Sequence, residues 1–219
     1  MSLENSRPIY NPAPMGWWER NMVPRLIGCC CAQPQIMKAR SRVVPQAEGD
    51  VLELGCGGGI NLSFYDRDRV KSLTGLDPSP GLLDQTRAMM QATGVPADIH
   101  AGIGEAMPFG DAQFDTILVT FTMCSVHSPA QVMAEMRRVL RPGGKVLYLE
   151  HGAAPDKGVA RVQRFIEPVW KRIGGNCHLT RPITGGYEGG GFKIARSEKG
   201  YMPKTPRPFA WIEWGEARL

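Results

Sequence analysis

Val51-Leu52-Glu53-Leu54-Gly55-Cys56-Gly57-Gly58-Gly59 reads as a buried strand that carries an acidic residue near its end, then a tight glycine turn, then a helix start. Glycines at alternate positions, Gly55, Gly57 and Gly59, let backbone approach a bulky ligand where a Cβ would collide. Asp77 closes a second apolar run, Leu73-Thr74-Gly75-Leu76, 22 residues after Gly55. A glycine turn followed at about 20 residues by an acid is how a doubly wound α/β sheet holds an adenosine ribose.

The same residues discriminate among nucleotides. A dinucleotide fold wants a small residue three places after its second glycine, where helix and strand pack closely. Here that place is Ile60, which is bulky and branched. No G-x-x-x-x-G-K-[ST] occurs, so a phosphate-cradling loop has no support. Glu53 beside the turn favours a cationic, hydroxyl-bearing ligand over a pyrophosphate. S-adenosylmethionine, with its sulfonium, ammonium and ribose, has those features.

On these residues the chain resembles the class I S-adenosylmethionine-dependent methyltransferases. The family's E-x-G-x-G-x-G is Glu53 to Gly59, and its acid after the turn lies in Leu76-Asp77-Pro78-Ser79. Its segment before the fourth strand is Gly104-Glu105-Ala106-Met107-Pro108-Phe109, followed by Phe114-Asp115-Thr116-Ile117-Leu118. Its approach to the fifth strand is Leu140-Arg141-Pro142-Gly143-Gly144-Lys145-Val146-Leu147. These elements cover residues 48–152 in the family's order. The resemblance implies an α/β fold, a doubly wound seven-stranded Rossmann-like methyltransferase sheet with an N-terminal helical lid. It divides the chain into an arm and lid, 1–45, and a methyltransferase domain, 46–219.

The resemblance also implies cofactor contacts. Gly55, Cys56, Gly57 and Gly59 pass under the amino-acid moiety, Glu53 orients that moiety, and Asp77 accepts from both ribose hydroxyls. Pro78 and Ser79 lie against the adenine. Many members carry an aspartate before the Ala-Glu pair, but this chain has Ile103 there, so backbone at Ile103 and Gly104, with Glu105, is left to hold the base. Thr120, at the end of the fourth strand, floors the site. On the acceptor side stand Cys124, Ser125, Glu150, His151 and His178, with His151 as the residue that orients or deprotonates the acceptor. Methyl transfer from a sulfonium is mainly alignment and water exclusion, so the catalytic residues are few.

A finer resemblance is to UbiE-like proteins (methyltransferase type 11) and to thiol methyltransferase-like enzymes. The latter share Cys124-Ser125-Val126, Glu150-His151 and the Cys-x-Leu-Thr-Arg run at 177–181. It implies a small lipophilic acceptor, best a thiol, with quinol O-methylation and phosphatidylethanolamine N-methylation as alternatives. A cofactor-binding protein without turnover is the reading from another class. A nucleic-acid acceptor usually goes with Asn/Asp-Pro-Pro-Tyr/Phe after the fourth strand; Val119-Thr120-Phe121-Thr122-Met123 stands there instead. The match departs at the N-terminus, where those enzymes carry an apolar anchor and this chain has Trp17-Trp18 and Cys29-Cys30-Cys31. A tryptophan-bearing basic helix there suits peripheral contact with a bilayer surface.

Composition fits this picture. The 219 residues allow one sizeable core, and 42% hydrophobic with 21% charged residues is ordinary for a globular protein. No apolar run reaches the length of about 18 residues that spans a bilayer. The N-terminus lacks the pattern of a secretory signal, which points to the cytoplasm. The six cysteines form neither a C-x-x-C pair nor a disulfide framework and suit a reducing compartment, with no metal site implied by their spacing. The net charge of +5 divides into +4 over residues 1–45, −5 over 46–150 and +6 over 151–219. Basic segments thus flank an acidic centre.

The pattern predicts strands near 50–55, 71–76, 97–101, 114–120 and 144–150, and helices near 17–31, 34–44, 60–66, 80–93, 129–140 and 158–172. The tail beyond 191 alternates like two further strands joined through Tyr201 to Pro206.

Overall fold

A computed structural model of the chain describes residues 33–219, together with Gly16 and Met22. Seven strands form one sheet in the order β3-β2-β1-β4-β5-β7-β6. They are β1 (Gly49–Leu54), β2 (Val70–Asp77), β3 (Asp98–Ala101), β4 (Phe114–Thr120), β5 (Leu140–His151), β6 (Lys193–Tyr201) and β7 (Trp211–Arg218). β7 runs antiparallel to both β5 and β6, and the remaining pairs are parallel. The expected tail strands therefore form the antiparallel end of the sheet.

Val51 to Leu54 and Thr116 to Thr120 are buried without a break. Continuous burial follows from covering both faces of a parallel sheet. Alternate side chains point to opposite faces. Leu52, Leu54, Ile117, Val119 and Val146 build one core with Val132, Met133 and Met136. Val51, Leu118, Leu147 and Leu149 build the other.

Helix α1 (Pro34–Val43) packs Ile36, Ala39 and Val43 into this second core. The sequence reading grouped it with the N-terminal arm, but these residues lie against the sheet. The helix expected at 17–31 lies outside the described residues. Helices α2 (Pro80–Thr93) and α3 (Pro129–Val139) each begin with a serine cap followed by proline. Ser79 Oγ accepts from Leu82 N and Ser128 Oγ from Gln131 N, and the fixed φ of proline suits the first helical position. α4 (Lys157–Ile173) follows β5. Two short helices complete the described chain, α5 (Thr184–Gly189) and α6 (Arg207–Ala210).

The segment at 60–66 is a 3-10 turn, Ile60–Phe64, entered from Gly59 at a left-handed φ of 76°. β5 starts at Leu140, before the expected 144, because Gln113 N donates to the Val139 carbonyl and Phe114 pairs with Leu140. The chain moves outward from β1 through β2 to β3, then crosses to β4 and β5. That reversal puts a crevice beyond the carboxyl ends of β1 and β4, where ligands bind in such sheets.

Candidate active site

The glycine turn sits at that crevice. Gly55, Gly57 and Gly59 have φ of 72°, 56° and 76°. A Cβ on Gly55 would lie 2.2 Å from Thr122 Oγ1, and one on Gly59 3.0 Å from Leu62. A Cβ on Gly57 would meet only the Gly55 carbonyl, at 4.0 Å. Packing therefore accounts for two of the glycines, and Gly57 alone faces free volume. Asp77 reaches the same turn from the end of β2. Its Oδ2 accepts from Gly57 N at 3.0 Å and its Oδ1 from Ser79 N at 2.9 Å. Burial raises its pKa, and the two amides oppose that rise. Each oxygen keeps capacity for a further donor such as a ribose hydroxyl.

Glu53 is fully enclosed beneath the turn. Asn61 Nδ2 donates to its Oε1 at 2.8 Å and Tyr65 OH to its Oε2 at 2.6 Å. Asn61 Nδ2 also donates to Thr120 Oγ1 at 3.0 Å. Arg40, buried on α1, donates from Nη1 to Asn61 Oδ1 at 2.7 Å and to Thr120 Oγ1 at 2.9 Å. Burial raises the Glu53 pKa, while Tyr65, Asn61 and Arg40 lower it. Sequence reasoning missed Arg40, Asn61 and Tyr65. The available signal was an arginine within the apolar spacing Ile36, Ala39, Val43 of a short helix.

The expected adenine side is divided in role. Ser79 caps α2, and Gly104 is tight against Leu54 and Val132, where a Cβ would come within 3.2 Å. Glu105 Oε1 accepts from His127 N and Ser128 N, so it fixes the loop that enters α3. Cys56 is buried, and burial pushes its thiol well up, which marks it as inert packing.

After β4 the backbone turns through Phe121 at φ 55°, a left-handed conformation that is strained for an aromatic residue. The Arg40 guanidinium lies 5.3 Å from the Phe121 ring centroid, and the His151 ring meets it edge-on at 6.2 Å. Phe121 thus lies between Arg40 on one side and His151 on the other.

On that side is a cavity of about 110 Å³ whose walls include Met123, Met133, Tyr187, Cys124, Glu150 and His151. Glu150 is anchored through Oε1, which accepts from Thr122 N at 2.9 Å and Met123 N at 3.1 Å, while Oε2 has no partner among the described residues. Burial raises its pKa to about 7 despite those two amides. Cys177 Sγ lies 3.0 Å from His151 Nε2 and accepts from Trp170 Nε1 at 3.2 Å. A hydrogen bond from Cys124 and the adjacent His151 hold the Cys177 thiol far below its ordinary range, against its burial. Burial works against a charge on His151, but neighbouring Cys177 outweighs it and lifts the imidazole to about 9. His151 Nδ1 is buried without a partner among the described residues.

Ser125 and His178 are not on the cavity wall. Ser125 Oγ donates to Thr122 O, and the His178 ring faces Glu167 at 3.5 Å. The His178 amide nevertheless donates to Cys124 O at 2.8 Å, and Arg181 Nη1 donates to Met123 O at 2.6 Å. The 177–181 run is thereby pinned over the end of β4. The donor atoms of Cys124, His151 and Cys177 lie within 4.8 Å of one another. Zinc accepts such a set. A zinc-bound imidazole, however, normally donates its other N–H to a fixed partner, and His151 Nδ1 has none among the described residues. The directions of the two shifts make Cys177 and His151 a hydrogen-bonded thiolate–imidazolium pair.

Residues 52–148 match the methyltransferase domain family. The structure resembles an S-adenosylmethionine-dependent methyltransferase from Mesorhizobium loti, with a TM-score of 0.65, 17% identity, and coverage of 86% of this chain and 99% of that one. That likeness concerns the fold alone. The chain belongs to the S-adenosylmethionine-dependent methyltransferases, and S-adenosylmethionine is its methyl donor.

Within that class the chain is 36% identical over 172 residues to the thiol S-methyltransferase TMT1B of Rattus norvegicus, covering 77% of this chain and 68% of that one. It is 35% identical over 169 residues to the human protein of the same name, covering 75% and 66%. The chain thus spans about two thirds of the length of these relatives. The free volume over Gly57 and the carboxylate of Asp77 fit the donor's chain and ribose.

Proposed function

We propose that the protein methylates the sulfur of a small lipophilic thiol. The observation that carries this reading is Glu150, a buried carboxylate with one anchored and one free oxygen, on the wall of a mostly apolar cavity beside the Cys177–His151 pair. The names of the two relatives support the same acceptor class.

Gly57, Asp77 and the Glu53 network hold the methyl donor, with Ile103 and Gly104 beside the base. When bound, S-adenosylmethionine supplies an electrophilic methyl group on a sulfonium. Glu150 Oε2 takes the proton from the acceptor S–H, its pKa of about 7 suiting exchange near neutrality. His151, protonated at neutral pH, offers Nδ1–H to the resulting thiolate and so acts as the orienting charge. With the donor held, the thiolate lone pair would form the new S–C bond while the carbon–sulfonium pair stayed on the leaving thioether, so Glu150 and His151 need only supply and orient the thiolate. Glu150 then returns its proton to solvent. Apolar walls exclude water and favour the compact, charge-dispersed transition state.

The test offers the protein S-adenosylmethionine with small alkyl thiols, quinols and phosphatidylethanolamine in parallel and follows S-adenosylhomocysteine. Turnover with thiols at least tenfold above the other acceptors is expected. Turnover confined to a quinol or an amine headgroup would replace the acceptor class while leaving donor binding in place.

A further inference from the structure

Helix α4 exposes a run of large apolar side chains. Phe165 is 84% exposed, Val169 61%, Val162 44% and Ile173 39%. Spacings of three, four and four residues place them in one stripe along the helix. Gln163 is buried on the opposite side of the stripe from Arg161 and Arg172, which are exposed along its outer edge. Lys157 and Arg164 extend the basic flank, so α4 carries five basic residues against the single acid Glu167. Glu167 is itself turned inward, accepting from Thr180 N at 2.8 Å. At the C-terminal end an open cleft of about 490 Å³ is lined by His127, Pro168, Lys171, Arg172, Gly175 and Asn176. Apolar stripe, basic edge and basic cleft therefore adjoin on one surface.

We propose that this face of α4 docks on an anionic lipid bilayer, with Val162, Phe165, Val169 and Ile173 in the acyl boundary and the basic edge among headgroup phosphates. Helices with an apolar face and a cationic flank bind interfaces in this way, by buried apolar area together with attraction to anionic lipid. The adjoining cations Arg161, Arg164 and Arg172 are exposed and make no ion pair among the described residues, so the charge they present matches a dense sheet of headgroup phosphates. The inner side of the same helix holds the acceptor site together. Trp170 donates to Cys177 Sγ at 3.2 Å, and Glu167 fixes Thr180 in the run that covers the cavity. Docking would place the cavity wall at the membrane surface, where lipophilic acceptors concentrate. The sequence reading placed membrane contact on residues 17–31; α4 is a separate surface, and its docking holds whatever atom the enzyme methylates.

The experiment is co-sedimentation of the full chain with phosphatidylcholine vesicles and with vesicles containing about one third phosphatidylserine, at low and high salt. The native protein is expected to pellet with the anionic vesicles and to be released by salt. Phe165→Asp with Val169→Asp should weaken binding by at least about tenfold, the loss expected on withdrawing two large apolar side chains from the boundary. The thermal unfolding midpoint and S-adenosylmethionine affinity of that variant should stay near native, showing an intact fold. Arg161→Ala with Arg172→Ala should remove the preference for anionic lipid. Native protein that stays in the supernatant with both vesicle types would overturn the proposal, as would a double aspartate variant that pellets like native. A dimer in solution that Phe165→Asp dissociates, with no vesicle binding, would assign the face to a second copy of the chain and overturn it too.

Discussion

Tyr65→Phe isolates one hydrogen bond under the glycine turn. The ring is retained, so the packing of Tyr65 against its neighbours is kept, and only the hydroxyl that donates to Glu53 Oε2 at 2.6 Å is removed. Glu53 is 3% exposed, so water cannot readily replace the lost donor. A hydrogen bond to a charged group contributes about 1.5–3 kcal/mol. In a chain of this length each kcal/mol corresponds to about 2–4 °C in Tm, so a fall of about 3–12 °C is expected near pH 8.

The size of that fall should depend on pH. Burial already raises the Glu53 pKa above its unfolded value. Such a carboxyl favours folding when protonated, and stability declines as pH rises from the unfolded pKa through the folded one. Removing the Tyr65 donor raises the folded pKa further. The difference in Tm between native and variant should therefore be largest at the alkaline end, at pH 8, and shrink as pH falls toward the unfolded carboxylate range. Differential scanning calorimetry across that range measures it. Equal Tm values at pH 8, or a difference independent of pH, would show that the carboxylate does not depend on this bond.

Three further outcomes are expected. Gly55→Ala should unfold or severely destabilise the protein, since its Cβ would overlap Thr122, whereas Gly57→Ala should cost only about 1–2 kcal/mol of left-handed strain but lower S-adenosylmethionine affinity at least tenfold by calorimetric titration. Thiol methylation should rise with pH through about 7, following Glu150; Glu150→Gln should cost about 100-fold or more in kcat and move the rise upward, toward the pKa of the free thiol used as acceptor. Purified protein should hold well under one equivalent of zinc by elemental analysis; one equivalent, lost in Cys177→Ser, would make the Cys124–His151–Cys177 cluster a metal site.

The strands were legible because β1 and β4 are near-continuous apolar runs, and the glycine turn because its alternate glycines precede Asp77 at a telling distance. α5 was not, since Thr184-Gly185-Gly186-Tyr187-Glu188-Gly189 is half glycine and helix propensity argues against it. Tyr187, buried and stacked on Tyr148 at 4.7 Å, supplies the tertiary packing that overrides it. Arg40 lay hidden because an arginine on a short helix reads as surface until its partners, Asn61 and Thr120, are brought beneath it. The Cys177–His151 contact joins residues 26 apart on separate elements, and no local spacing rule encodes it. The glycine motif does not tell its members apart; the left-handed turn is common to all three, and only the neighbours of each Cβ show that packing leaves Gly57 unconfined.

The most direct test of the central claim is a single turnover with S-adenosylmethionine labelled with carbon-13 at its methyl group and a small alkyl thiol, with the product examined by mass spectrometry and NMR. The label is expected on sulfur, as a methyl thioether formed in step with S-adenosylhomocysteine and suppressed in Glu150→Gln. Tight donor binding with no label leaving it, or label found only on oxygen, carbon or nitrogen of another acceptor, would contradict the assignment of this cavity to a thiol.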